Sequence, residues 1–158
     1  MQKKNHPVTL LLICITVTLL ATNVAAQEKK IDRSQLPAPV EATVKAQSEG
    51  ATVSGFSTET EHGQTYYEAE LKINGHSKDL LMDAQGNVVE IEEEVGMDAL
   101  PDAVKGGLQT KAGDGKLLKI ESLTKHGTLV AYEAQVIKKG KKSEIQVGPD
   151  GKPLAHEE

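Results

Sequence analysis

The chain carries one pattern twice. Leu36-Pro37 returns as Leu100-Pro101 and Val40 as Val104, each 64 residues on, and His62-Gly63 returns as His126-Gly127 at the same spacing. One inserted residue then moves the offset to 65: Tyr67-Glu68-Ala69 becomes Tyr132-Glu133-Ala134, Gly75 becomes Gly140 and Gly86 becomes Gly151. Matches that keep their order through a single register change mark an internal repeat. A chain like this is expected to build one supersecondary unit twice, over residues 36–95 and 96–158.

Each copy opens on a helix. Leu36, Val40 and Val44 recur at i, i+4, i+8, as do Leu100, Val104 and Leu108, which gives one apolar stripe per helix. Pro37 and Pro101 suit a first turn, where a missing N–H leaves no bond unmade. Strands follow. From Tyr67 to Ile73 the odd positions are apolar and the even ones mostly polar, and Tyr132, Ala134 and Val136 alternate in the same way with Glu133 and Gln135. That period marks strands with one buried and one wet face. Asn74-Gly75, Lys139-Gly140 and the two His-Gly pairs are hairpin signals, with further turns at Ala84-Gln85-Gly86 and Pro149-Asp150-Gly151. The expected fold is α+β: two tandem repeats, each one helix packed on a four-stranded antiparallel meander, sharing one larger sheet surface. The last strand of the second copy, around Pro153-Leu154, is expected to be short. A unit of about 60 residues is marginal alone, which favours the two copies packing together.

The first 26 residues read as an address. Lys3 and Lys4 precede an apolar run from Val8 to Ala21, and Val24-Ala25-Ala26 places small residues before a cut at Gln27. This is the plan of a secretory signal peptide, and the run is shorter than the roughly 20 residues of a membrane span. Cys14 lies inside the run after a bulky Ile13, which does not suit an acylation site. Cleavage would leave 132 residues, no cysteine and 16 basic against 23 acidic side chains, a net charge of −7. The fold must then rest on burial without disulfides. The acidic balance speaks against a nucleic-acid partner. Residues 27–35 read as a flexible leader and His156-Glu157-Glu158 as a frayed tail. The expected location is periplasmic or secreted, with no membrane association after cleavage.

Catalytic signatures are missing: the cleaved chain has no Cys nucleophile, no Gly-x-Ser-x-Gly elbow, no phosphate loop and no His-Glu-x-x-His. The chain is expected not to be an enzyme and to need no cofactor or metal. His62, His126 and His76 read as solvated turn residues, since neither ligand spacing nor a carboxylate partner is evident. Asp83-Ala84-Gln85-Gly86-Asn87 places its Gly fourth, where a calcium loop needs it sixth. Glu90, Glu92, Glu93 and Glu94 read as a strand end with one charged, solvated face. The wet sheet face is the expected contact surface, carrying Tyr66, Glu68, Glu70 and Lys72, with Glu133 and Gln135 continuing it. Tyr66 is read there as an interface anchor or, equally, as a packing partner of Phe56.

Leu-Pro opening a helix, Tyr-Glu-Ala on a strand, Asn-Gly at a hairpin and the ending Leu81-Met82-Asp83-Ala84-Gln85-Gly86-Asn87-Val88-Val89 together resemble PepSY-like repeats. Tandem copies behind a signal peptide are similar to bacterial periplasmic proteins described as β-lactamase-inhibitor-like and PepSY-like. The resemblance runs from Leu36 to Leu154. It implies helix-plus-sheet repeats forming one concave sheet, and a protein partner of the peptidase class. Asp83 matches an Asp of the PepSY pattern, and Gly148 replaces it in the second copy. The resulting expectation is an exported, non-enzymatic binding protein of the cell envelope acting through the sheet face. The alternative is a module binding a small ligand or a cation with its acidic surface and His turns.

Overall fold

The computed structural model describes residues 28–158 apart from His62; the expected signal peptide, its cut before Gln27 and the first His-Gly turn's histidine lie outside the described residues. The element order is β1 (Lys29–Lys30), α1 (Ala38–Gln47), β2 (Thr52–Glu61), β3 (Gln64–Ile73), β4 (His76–Met82), β5 (Val88–Glu94), α2 (Asp102–Ala112), β6 (Lys116–Lys125), β7 (Thr128–Lys138) and β8 (Lys141–Val147). All eight strands form one antiparallel sheet in sequence order. Pairing of β5 with β6, from Glu90 opposite Lys125 to Glu94 opposite Glu121, joins the part under α1 to the part under α2. Among the described residues no helix is long and apolar enough to cross a membrane.

Each helix starts at a proline cap, Pro37 or Pro101, whose extended ψ of 146° or 143° turns the chain into the first helical residue. Leu36 and Leu100 therefore stand one residue ahead of their helices, yet both pack on the core beside the helical valines. Under α1 the core joins Val40 and Val44 to Phe56, Ala69, Leu71, Leu80 and Met82. Under α2 it joins Val104 and Leu108 to Ile120, Ala134 and Val147. The alternation read on β3 and β7 is observed: Ala69, Leu71, Ala134 and Val136 are buried on the helix side. Tyr67 and Tyr132, expected inside, are partly buried at the margins of their cores. The two-residue turns take the left-handed geometry that Gly and Asn tolerate, with φ of 54° and 91° at Asn74-Gly75 and 50° and 77° at Lys139-Gly140.

Three expectations are corrected. The sheet part under α2 has three strands, not four: after β8 the chain turns at Gly148–Gly151, and the Pro153-Leu154 segment forms no strand. Pro153 has no N–H to give to a ladder, and the turn lies against α2 instead. There the Gly151 carbonyl approaches Gly107 so closely that a Cβ on residue 107 would clash, which explains a glycine inside a helix. Second, residues 28–35 are not a loose leader. Lys29 and Lys30 pair with Thr58 and Ser57, Ile31 donates its N–H to the Phe56 carbonyl at 3.0 Å, and Ile31 packs on the first core. Arg33 then ties this segment to α1 through Glu41 at 2.8 Å, its guanidinium 5.8 Å from the centre of the Phe56 ring. Third, the expected frayed tail makes contacts: the Glu158 N–H donates to Gln146 Oε1 at 2.8 Å.

Candidate functional site

The helices cover one face of the sheet. Register fixes what lines the other. Glu68 stands opposite Leu81, Glu70 opposite Asp79, Asp79 opposite Glu92, Leu81 opposite Glu90, and Glu121 opposite both Glu94 and Glu133. Carboxylates therefore run across five adjacent strands. A cavity of about 390 Å³ lies over them, lined by Glu28, Glu59, Glu68, Asp79, Leu81, Glu90, Glu92 and Glu144. Glu28 precedes the first strand and Glu144 belongs to the last, so the sheet curls until its two edges border one trough. Bulges in the pairing at Val53/Gly55, Leu81/Met82, Leu117/Ile120 and Leu123/Thr124 supply the added twist.

At the centre, one oxygen each of Asp79, Glu92 and Glu121 lie within 4.8 Å of one another. Lys119 is the cation beside them, its Nζ 2.6 Å from Glu121 Oε1. One ammonium cannot offset three carboxylates in a half-buried setting. Burial, reinforced by Glu121, Glu133, Glu90 and Asp79, pushes the Glu92 carboxyl up to about 8. Burial and the nearby Glu68 carry Asp79 up to about 6, with Lys119 pulling the other way. Glu68 is also raised by burial, although the Ser57 hydroxyl donates to it at 2.6 Å. Glu133 is raised by burial against a 2.8 Å bond from the Gln146 amide. The Ser77 backbone N–H holds Glu94 below the usual range, and the His76 Nδ1 stands 3.5 Å from it. Glu92 therefore keeps its proton at neutral pH, and an arriving cation would favour its release.

The expected site residues share this face but not one environment. Glu68 lines the trough. Glu70 stands opposite Asp79, with Lys30 Nζ at 3.9 Å. Tyr66 is on the rim opposite Glu59, and Phe56 is buried on the helix side, so the two do not pack together. Lys72 is exposed at the far end of β3, opposite Ser77. Glu133 bonds Gln146, while Gln135 borders a separate recess of about 300 Å³ with Lys142, Ser143 and Glu144. Sequence reasoning missed Asp79, Glu92 and Glu121. The signal was the spacing Glu90-x-Glu92-x-Glu94, which puts three acids on one face. The reading of that face as a solvated strand end is corrected, because β5 is an interior strand paired on both sides. Asp83 is occupied by its own turn, its Oδ1 accepting the Gln85 and Asn87 N–H groups at 2.9 Å each. His126 is an exposed turn residue; His76, exposed at the start of β4, has the Glu94 carboxylate 3.5 Å away, which corrects its reading as a turn residue without a carboxylate partner, and His62 lies outside the described set.

No family model matches the chain, and neither does any curated protein. Solved structures do. A protein from Bacteroides eggerthii provisionally described as periplasmic aligns with a TM-score of 0.61 at 20% identity, over 75% of this chain and 86% of that one. A DUF2874 family protein from Bacteroides uniformis gives 0.58 at 22% identity, over 73% and 84%. A BLIP-like protein from Bacteroides fragilis gives 0.54 at 21% identity, over 73% and 81%. The likeness is one of fold.

Proposed function

We infer that this is an exported, non-enzymatic binding protein of the bacterial cell envelope, built from two copies of a helix-plus-sheet unit, whose curled sheet face accepts a cationic segment of a protein partner. The observation that carries the reading is the trough: carboxylates from five strands line a concavity of about 390 Å³, and the cations beside it are Lys119 on Glu121 and Lys125 on Glu90. Positive side chains entering it would meet focused negative potential and displace protons from Glu92. The periplasmic description of the Bacteroides eggerthii neighbour supports the envelope setting, and the BLIP-like description of another is in keeping with a non-enzymatic role. The resemblance to PepSY-like repeats makes a peptidase the first partner to try.

Titration with a lysine-rich peptide tests the reading. Binding should weaken steeply with salt, and Glu68→Gln with Glu90→Gln should weaken it by about tenfold in a protein that a melting curve shows to be folded. Equal affinity in the double variant sinks the trough as the contact surface. A second reading rests on the Asp79, Glu92 and Glu121 oxygens within 4.8 Å: a hard divalent cation, which takes oxygen ligands. Calorimetry with Ca²⁺ alone decides it, since a trough built for side chains gives no saturable heat.

A further inference from the structure

The trough is matched by a feature of opposite sign on the same chain. Lys138-Lys139-Gly140-Lys141-Lys142 turns the corner from β7 to β8 and puts four ammonium groups within five residues of a chain whose net charge is −5. Every residue from Lys138 to Glu144 is exposed. Lys138 is paired with Asp114, but Lys139, Lys141 and Lys142 have no carboxylate within ion-pair distance among the described residues. The corresponding β3–β4 turn, Ile73-Asn74-Gly75-His76, has the same backbone and carries no lysine. Turn geometry therefore does not require the lysines. Edge protection could account for one or two of them, since charged side chains on a terminal strand discourage strand addition. It does not call for lysines at both flanks and at the tip itself.

We propose that the β7–β8 lysine hairpin of one copy of this chain docks into the acidic trough of a second copy, so that the protein associates with itself through one cationic tip and one anionic concavity. The proposal rests on the reading of the trough as a face that accepts cationic segments, and it names a partner for that face. Shape and charge both favour a second copy. A two-residue hairpin is a narrow convex wedge, and the trough is a concavity large enough for lysine side chains. A flat anionic bilayer would meet the tip but would also face the negative charge of the rest of the molecule. The contact uses different surfaces on the two partners. It therefore closes only where symmetry lets both hairpins engage, and otherwise builds chains.

Sedimentation velocity over a concentration series tests this, with the whole protein at low salt and at about 1 M salt, where the screening length falls to about 3 Å. The expected result is a mass that rises with concentration at low salt and returns to monomer at high salt. Lys139→Glu, Lys141→Glu and Lys142→Glu combined should weaken association by about tenfold or more, as should Glu68→Gln with Glu90→Gln. An equimolar mixture of the two variants should regain association, because one supplies an intact trough and the other an intact hairpin. A monomer at every concentration overturns the proposal, and so does self-association that survives the lysine substitutions. Monomers that bind vesicles of anionic phospholipid through the hairpin overturn it in favour of a lipid surface. The lysine-rich peptide separates this failure from failure of the trough itself. Peptide binding to the triple lysine variant upholds the trough whatever the state of association, and its absence removes both readings.

Discussion

The two hairpins at one end of the sheet have nearly the same backbone and opposite character. Asn74 and Lys139 have φ of 54° and 50°, and each is followed by a glycine in the left-handed region. Around the first lie Ile73 and His76; around the second lie four lysines. The carboxylates differ in the same way. Glu68 and Glu133 hold equivalent positions of the repeat, yet Glu68 lines the trough while Glu133 is tied to Gln146 beyond it. Backbone requirements have been kept in both halves and side-chain chemistry has not. A turn needs particular φ angles, which few residues supply, whereas an outward side chain is limited only by what it meets. The positions the two halves share are those the backbone constrains, and the positions where they differ are outward side chains.

Truncating each core at its matching position has the largest expected effect. Leu71 and Val136 occupy equivalent inward sites and are 1% and 3% exposed. Leu71→Ala should cost about 3 kcal/mol and Val136→Ala about 1.5 kcal/mol by urea unfolding, from lost burial plus the cavity left behind. If either variant unfolded at the wild-type midpoint, the assignment of faces would be wrong by one residue and would invert along that strand.

Next in size is the proton held by Glu92. Between the ordinary carboxylate range and about 8 the folded chain keeps a proton there that the unfolded chain has lost, so raising the pH through that window costs stability. Asp79, raised to about 6, adds to the same slope at its lower end. The melting temperature should therefore fall from pH 5 to pH 8. Glu92→Gln should flatten the profile and raise stability at pH 8 by about 2 kcal/mol. An unchanged profile in that variant would place the destabilising charge elsewhere.

A smaller effect sharpens the contrast between the equivalent glutamates. Ser57, 1% exposed, donates to Glu68, and Gln146, 6% exposed, donates to Glu133. Ser57→Ala should cost about 1 kcal/mol and leave Glu68 harder to ionise, seen as a more alkaline Glu68 midpoint in carboxyl NMR titration. A midpoint that did not move would mean the hydroxyl is irrelevant to the trough. Smallest of all, Tyr66→Ala on the rim should change stability by less than about 0.5 kcal/mol. It should also leave lysine-peptide affinity unaltered, and a large loss of affinity would move the contact from the trough to its rim.

Much of the scaffold was legible because it follows from local rules. Proline caps, glycine turns and the alternation of Tyr67 to Ile73 are decided within a few residues, and they place the helices, the hairpins and the helix-facing side of each strand. The even positions of β3 were correctly put on the opposite face for the same reason. The leader was misread because Lys29, Lys30 and Ile31 show no pattern of their own; they order only by pairing with β2. The fourth strand of the second half failed on Pro153 and on the approach of Gly151 to α2, a contact between segments more than 40 residues apart.

Local patterns in the chain set the strand periodicities and the spacing that puts Glu90, Glu92 and Glu94 on one face. Whether those acids meet water or one another was decided only in the tertiary structure. The pairing of β4, β5 and β6 brings Asp79 and Glu121 to either side of Glu92, and the curl of the sheet draws Glu28 and Glu144 toward the same trough. Side-chain direction is a local property of an extended backbone. The field a carboxylate feels depends on charges and solvent brought near it by strands distant in sequence, and no local pattern encodes that.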